Sequence, residues 1–173
     1  SLPHVLAALK YGLHSIEQYS EAAITKIVGA LYDGALSAKE KTSNNIALQY
    51  IQCAIRIIET MGKDDAVQLC RLLLLQGELG YLAADIQLGG DSFHRYRLMT
   101  SDLTLQAASF SKQVPLAFMR GDVEGAINFS LNCFRLLDVD VPIFGENIDL
   151  SLEFQRKKFD LLDGGRYVSE LSI

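Results

Sequence analysis

The sequence predicts an all-α fold in one domain of 173 residues. Alanine and leucine recur at spacings of three and four residues, which is the period of an amphipathic helix. The alternation of β-branched residues that is typical of strands is nearly absent, and the chain has only three prolines. Hydrophobic residues make up 49% of the sequence, which predicts a chain that buries a core rather than a disordered one.

Capping residues and glycines divide the chain into successive helices, because Ser, Asn and Asp favour helix starts and Gly favours helix ends. Gly89-Gly90 is expected to end the most apolar helix, and Pro115 to prevent a straight helix across it. Gly29 and Gly34 lie inside a predicted helix, which favours the close approach of another helix. The predicted helices span roughly residues 3–14, 16–38, 45–61, 65–88, 92–111, 123–137 and 149–162, and a short element follows at 166–173.

Two of the predicted helices share one pattern of side-chain sizes. Each places a small, an aliphatic and an aromatic residue in the same order, with another small residue seven positions after the first. The two sets are Ala47, Leu48, Tyr50, Ile51, Ala54 and Ile57, and Ala126, Ile127, Phe129, Ser130, Cys133 and Leu136. The pattern is typical of the second helix of a tetratricopeptide repeat, where small residues allow close crossing of the first helix.

The predicted architecture is therefore a tetratricopeptide-like α-solenoid segment of antiparallel helix pairs. Irregular repeats are expected at roughly 16–61, 63–112 and 113–140, followed by C-terminal helices at 147–173. The separation between the two copies of the pattern is not a whole multiple of about 34 residues, the length of one repeat. The middle pair is therefore expected to be longer than usual. A helical bundle without repeats is the alternative, because ordinary amphipathic helices have similar spacings.

Charge and composition limit the possible partners. The net charge of −5 and the sequence pI of about 5.2 argue against DNA or an anionic membrane, which both require a cationic face. No segment approaches the roughly 18 apolar residues of a membrane span, and no signal peptide is visible. Cys53, Cys70 and Cys133 are odd in number and widely spaced, which is typical of free thiols in a reducing compartment. The expected location is the cytoplasm.

No motif in the sequence predicts catalysis. The glycines at 29 and 34 have the spacing of a phosphate-binding loop, but Ala35 stands where that loop needs lysine. The three histidines lack metal-ligand spacing, so we expect no metal, no cofactor and no enzymatic activity. Glu78 and Asp85 lie seven residues apart in the predicted central helix, and they are the best candidates for polar groups in an internal pocket.

The candidate partner contact is a dense basic and aromatic cluster formed by Arg95, Tyr96 and Arg97, next to His94. Such a cluster is suited to phosphate or to an acidic segment of a partner, although it also occurs on ordinary solvated helix faces. If this cluster is the contact surface, we expect that replacing Arg95 and Arg97 by alanine weakens partner binding without lowering thermal stability.

The C-terminal third resembles one family of signalling proteins. The stretch Leu136-Leu137-Asp138-Val139-Asp140-Val141-Pro142 is followed by a predicted helix and then by Gly165, Arg166, Val168 and Leu171 in a "G-R-x-hydrophobic-x-x-L" pattern. This is similar to the helical arm of large multidomain proteins that join a Ser/Thr-kinase-like region, a STAND-type ATPase, tetratricopeptide-like repeats, a GAF domain and a histidine kinase. The helix around Ala47 also looks like the first repeat of that arm. No catalytic motif is included in the resemblance.

The resemblance implies an interaction or ligand-sensing module within a signalling ATPase/kinase, excised from a longer chain and without catalysis of its own. Its expected partners are another protein or neighbouring domains of the same chain, with no nucleic acid and no membrane insertion. Two alternatives remain: a stand-alone adaptor that binds a peptide tail, and a stand-alone helical bundle that binds a small molecule or acts as an enzyme. A pocket around Glu78 and Asp85 would favour the bundle.

Overall fold

The computed structural model describes residues 20–60 and 65–139, and this part of the chain contains six helices and no strand. The all-α prediction is therefore confirmed for these residues. The helices are α1 (Glu21–Glu40), α2 (Asn44–Thr60), α3 (Ala66–Leu82), α4 (Ile86–Met99), α5 (Leu103–Met119) and α6 (Val123–Leu136). The helices predicted at 3–14 and 149–162, the element at 166–173 and the Gly165 segment lie outside the described residues.

The contacts divide the chain into a unit Ser1–Leu137, to which all six helices belong, and a unit Asp138–Ile173, of which only residues 138 and 139 are described. Within the first unit the most extensive packing lies inside three consecutive pairs, α1 with α2, α3 with α4, and α5 with α6. Helix α2 also packs on α3, and α5 packs on both α3 and α4. Each pair is antiparallel because only three residues connect its two helices.

All three pairs are closed by the same turn. The residue before the cap of the second helix has a positive φ: 58° at Thr42, 66° at Ala84 and 77° at Gly121. The next backbone N–H reaches back five residues, a pattern that defines the Schellman motif at a helix C-terminus. These hydrogen bonds run from Ser43 to the Ala38 carbonyl at 2.9 Å, from Asp85 to Gly80 at 2.8 Å and from Asp122 to Ala117 at 3.1 Å. One backbone geometry therefore reverses the chain in each pair.

The predicted helix 65–88 is wrong, because α3 ends at Leu82 and the chain turns at Ala83, Ala84 and Asp85. Gly89 and Gly90, expected to end this helix, lie inside α4 instead. The physical reason is that the turn uses a non-glycine residue at positive φ, whereas Gly89 serves close packing. A Cβ atom on Gly80 would lie 2.7 Å from the Gly89 Cα. The two helices therefore cross with their backbones almost in contact.

The predicted helix 92–111 is also wrong. The chain leaves α4 at Met99 and begins α5 at Leu103, so the proposed repeat boundary at 112/113 falls inside α5. Pro115 is part of this helix. Its ring removes one N–H donor in the last turn, which leaves the Ser111 carbonyl without that partner. Both residues are exposed, so water can satisfy the carbonyl.

The hydrophobic core lies mainly between the first two pairs. Its fully buried members include Leu31, Ile51 and Leu72, and Tyr96 of α4 also belongs to it. A second cluster joins the third pair to the second through Tyr81, Phe93 and Leu116. The two sets of residues that suggested a repeat lie on corresponding helices, α2 and α6. The α2 set is almost wholly buried, whereas on α6 only Ala126 is buried and Ile127 is 54% exposed.

Aspartates cap four of the six helices, and Asp102 makes two such contacts. Its carboxylate accepts hydrogen bonds from the backbone N–H groups of Thr104 at 2.8 Å and Leu105 at 3.3 Å. We expect Asp102→Ala to lower the free energy of unfolding by about 1 kcal/mol, measured by urea denaturation. The matched control is Asp91→Ala, which removes an exposed acid in the middle of α4 and should change stability by less than about 0.5 kcal/mol. Equal losses in the two variants would contradict the capping role.

Candidate functional site

Helices α1 and α3 lie side by side and in parallel, although they belong to different pairs. The Lys39 Nζ atom is 2.6 Å from Glu78 Oε1, and the guanidinium carbon of Arg71 lies 3.9 Å from the centroid of the Tyr32 ring. Both contacts join residues 39 positions apart in the sequence. In two parallel helices, the difference between the residue numbers of each contacting pair is constant. In two antiparallel helices, the sum of the two residue numbers would be constant instead, so α1 and α3 run in the same direction. The first helices of the first two pairs therefore stack in register.

A cavity of about 220 Å³ opens between these two helices. Apolar side chains from both helices and the Tyr32 ring form part of its wall, while Asp33, Gln68 and Arg71 bring polar groups to it. The lining residues are Val28, Gly29, Tyr32, Asp33, Gln68, Arg71 and Leu72. This volume is below the roughly 300–1,000 Å³ of sites for drug-sized molecules and cofactors, so it fits a single side chain better than a whole cofactor.

Gly29 leaves the cavity open. A Cβ atom built on it would meet no described atom within 4 Å, so the expectation that Gly29 permits close helix packing is wrong. The physical reason is that α1 and α3 are spaced apart here by Tyr32 and Arg71 rather than pressed together. A helical glycine without a packing function lowers helix stability by about 1 kcal/mol relative to alanine. Without a side chain, Gly29 leaves space in the cavity that it lines.

The predicted contact cluster at Arg95, Tyr96 and Arg97 does not form one exposed patch. Arg95 is exposed and its Nη1 atom forms an ion pair with Glu59 Oε1 at 2.6 Å. Tyr96 is buried in the core, with 4% of its surface exposed. Arg97 is half-buried and turns toward α5. These side chains therefore separate onto different sides of α4, as successive residues of a helix must.

Arg97 connects α4 to two buried polar residues of α5. Its Nη1 atom donates to Gln113 Oε1 at 2.8 Å and to Ser109 Oγ at 3.2 Å. The guanidinium carbon lies 4.0 Å from the centroid of the Phe110 ring, a cation–π contact. The network continues to α3, because Gln113 Nε2 donates to the Tyr81 hydroxyl at 3.2 Å. Burial lowers the pKa of the Arg97 guanidinium from its ordinary value, although the side chain remains charged at neutral pH.

Ser109 and Gln113 were not predicted as site residues, although each is only 1% exposed. The available signal was their spacing of four residues, which places two polar side chains on one face of the helix. Buried polar side chains of this kind require hydrogen-bond partners, and Arg97 supplies them.

Glu78 and Asp85 do not face a common pocket. Glu78 is paired with Lys39 of α1, and Asp85 lies beyond α3, where its carboxylate accepts a hydrogen bond from the Leu88 N–H at 3.1 Å and caps α4. The prediction that both lie on one face of a central helix is wrong because α3 ends before Asp85. The internal site that would favour the bundle alternative is therefore absent at these two residues.

The remaining reactive groups in the described part of the chain are its acidic side chains, His94 and three thiols. Within residues 20–60 and 65–139, no group of three His, Cys, Asp or Glu residues is placed to hold a metal ion. Burial raises the pKa of the thiols of Cys53, Cys70 and Cys133, which keeps them protonated and weakly nucleophilic at neutral pH. All three thiols are free. None of the six helices is sufficiently long and apolar to cross a membrane.

Comparison with known proteins adds no further information about the site: no family model, no curated protein and no solved structure matches this chain. The function is therefore inferred from two features of the fold, the cavity between α1 and α3 and the polar network around Arg97.

Proposed function

We propose that the chain is a tetratricopeptide-like helical repeat module that binds a peptide segment of a protein partner and has no catalysis of its own. The observation that carries this proposal is the cavity between the parallel helices α1 and α3. In an α-solenoid, the first helices of successive pairs line one continuous surface, and that surface binds partners. The cavity lies between two helices of this type.

The repeated geometry of the helix pairs supports the solenoid. The turns at Thr42, Ala84 and Gly121 share one hydrogen-bond pattern, so each pair reverses direction in the same way. The first helices of the first two pairs run parallel with a constant offset of 39 residues, close to the roughly 34 residues of a tetratricopeptide repeat. The identical turns are expected of repeated pairs, whereas a constant offset alone would also occur between the first and third helices of an up-and-down bundle.

The lining of the cavity favours a peptide ligand with an apolar side chain beside an acidic one. The cavity has room for one side chain of the size of leucine or phenylalanine, flanked by Val28 and Leu72. Arg71 forms no ion pair within the described residues, and it is held over the Tyr32 ring. Its guanidinium can therefore receive the ligand's carboxylate. The small volume disfavours the alternative of a small-molecule site or an active site.

The proposal includes the setting that the family resemblance implies, a segment joining the ATPase and sensor-kinase regions of a signalling protein. In that setting, the peptide that enters the cavity belongs either to a neighbouring domain of the same chain or to a protein partner. The resemblance rests on Gly165, Arg166, Val168 and Leu171 together with the helix around Ala47.

Filling the cavity tests the proposal. Peptides are selected from a random library displayed on phage, and the dissociation constants of the enriched peptides are measured by fluorescence polarisation. We expect them to combine an apolar residue with an adjacent acid. Gly29→Leu should weaken their binding by about tenfold or more, which corresponds to about 1.4 kcal/mol, because the new side chain occupies the space of the ligand.

The matched control is Gly90→Leu, since a Cβ atom on Gly90 also meets nothing within 4 Å and α4 does not line the cavity. This variant should bind the peptides as the unmodified protein does. Equal affinities of the two variants, or a library that yields no enriched peptide, would refute a peptide site between α1 and α3.

A further inference from the structure

The charge of Arg97 is not balanced by any acidic side chain in the described part of the chain. The ion pairs found there are Lys39 with Glu78 and Arg95 with Glu59, and neither includes Arg97. Its side-chain hydrogen-bond partners, Ser109 and Gln113, are neutral. A partly buried charge is normally paired, because its removal from water is otherwise unfavourable. Among the described residues, Arg97 is therefore a half-buried cation without a counter-charge.

One edge of the Arg97 guanidinium remains available for binding. Nη1 makes both hydrogen bonds, to Ser109 and Gln113, whereas Nε and Nη2 donate to no atom among the described residues. No completely buried side-chain nitrogen or oxygen in residues 20–60 and 65–139 lacks a partner, so the Nε and Nη2 atoms are not completely buried. The Nε–Nη2 edge presents two parallel N–H donors, the geometry that binds the two oxygens of a carboxylate.

The position of this edge is fixed before any ligand binds. The hydrogen bonds through Nη1 and the Phe110 ring hold the guanidinium from two sides. The Phe129 ring lies beside Phe110, with 6.3 Å between the ring centroids, and both rings are half-buried. Because the Arg97 side chain is already ordered, ligand binding costs the protein little side-chain entropy. The ligand also contacts apolar surface next to the cation.

We propose that the Nε–Nη2 edge of Arg97 binds the carboxylate of a ligand whose apolar group packs near Phe110 and Phe129. A structural role would explain the two hydrogen bonds of Nη1 and the cation–π contact with Phe110, but it would not require an unpaired second edge. Arg97 supplies one positive charge, and the side chains to which it donates, Ser109 and Gln113, are neutral, which matches a carboxylate better than a doubly charged phosphate.

Arginine side-chain NMR tests this site in the unmodified protein. The probe is N-acetylphenylalanine, which presents a carboxylate next to an aromatic group, and its amide is the matched control without the charge. The Nε–Hε resonance of Arg97 should shift saturably with the acid, with a dissociation constant on the order of 1 mM. The amide should bind about tenfold more weakly or not at all. Acetate, which lacks the aromatic group, should bind more weakly than the acid.

Arg95 provides the internal reference, because it is exposed and paired with Glu59. Its resonance should change only slightly and without saturation. A linear change at Arg97 like that at Arg95, or equal binding of the acid and the amide, would overturn the proposal. Stronger saturable binding of inorganic phosphate than of the acid would overturn the assignment to a carboxylate. The Gly29→Leu variant should retain this binding, which distinguishes the site from the α1–α3 cavity.

Discussion

Replacing Gly80 by alanine is expected to lower the free energy of unfolding by about 3 kcal/mol, in the upper range for overpacking. The added Cβ atom would lie 2.6 Å from the backbone nitrogen and 2.7 Å from the Cα of Gly89. Both are main-chain atoms within a helix, so no rotamer change can relieve the contact. Helices α3 and α4 would have to separate, and this movement would also loosen the packing of Phe93 against Gly77.

The control is Gly90→Ala, in the next position after Gly89 on the same helix. Its Cβ atom would meet nothing within 4 Å, so the higher helix propensity of alanine should raise the free energy of unfolding by about 0.5–1 kcal/mol. Urea denaturation of the two variants measures the contrast. Similar stabilities of Gly80→Ala and Gly90→Ala would show that α3 and α4 do not cross at these glycines.

Arg97→Ala is expected to lower the free energy of unfolding by about 2–3 kcal/mol. The substitution removes the donor to Gln113 Oε1, a side chain that is 1% exposed, and leaves a buried acceptor without its partner. It also removes the cation–π contact with Phe110. The sequence-based expectation that Arg97→Ala leaves thermal stability unchanged therefore no longer holds, because the side chain lies between two helices.

Arg95→Ala is the comparison that isolates this effect. Its ion pair with Glu59 joins side chains that are 46% and 41% exposed, and such surface pairs contribute about 0–1 kcal/mol. The melting temperature should therefore fall clearly for Arg97→Ala and only slightly for Arg95→Ala, as measured by circular dichroism. Equal decreases would argue against the network through Gln113.

The turns show how much of the fold the sequence predicts. The turn at Gly121 falls in the gap between the predicted helices 92–111 and 123–137, where glycine readily adopts a positive φ and an aspartate follows it. The turn at Ala84 was missed because alanine rarely adopts a positive φ and is common inside helices. For this reason Asp85, which caps α4, was assigned to the interior of a helix. Gly89-Gly90 then provided a false helix end. Composition reveals where glycine is used, but only tertiary contacts reveal whether it serves a turn or a close crossing.

The candidate sites were partly predictable for a similar reason. The cluster at 94–97 was recognisable from its composition, but successive helical residues point about 100° apart, so the cluster was divided among solvent, core and the α4–α5 contact. The cavity at Gly29 could not be predicted, because it depends on the parallel stacking of α1 on α3, whose contacts lie 39 residues apart. The sequence therefore predicts the helices better than it predicts the surfaces between them.

The three identical turns also bear on how the chain folds. Each turn joins two helices that lie next to each other in the sequence, and most of the packing occurs within these pairs. Contacts between nearby residues require little loop-closure entropy, and chains dominated by them fold in microseconds to milliseconds. Each pair can therefore act as a nucleus on which the next pair assembles.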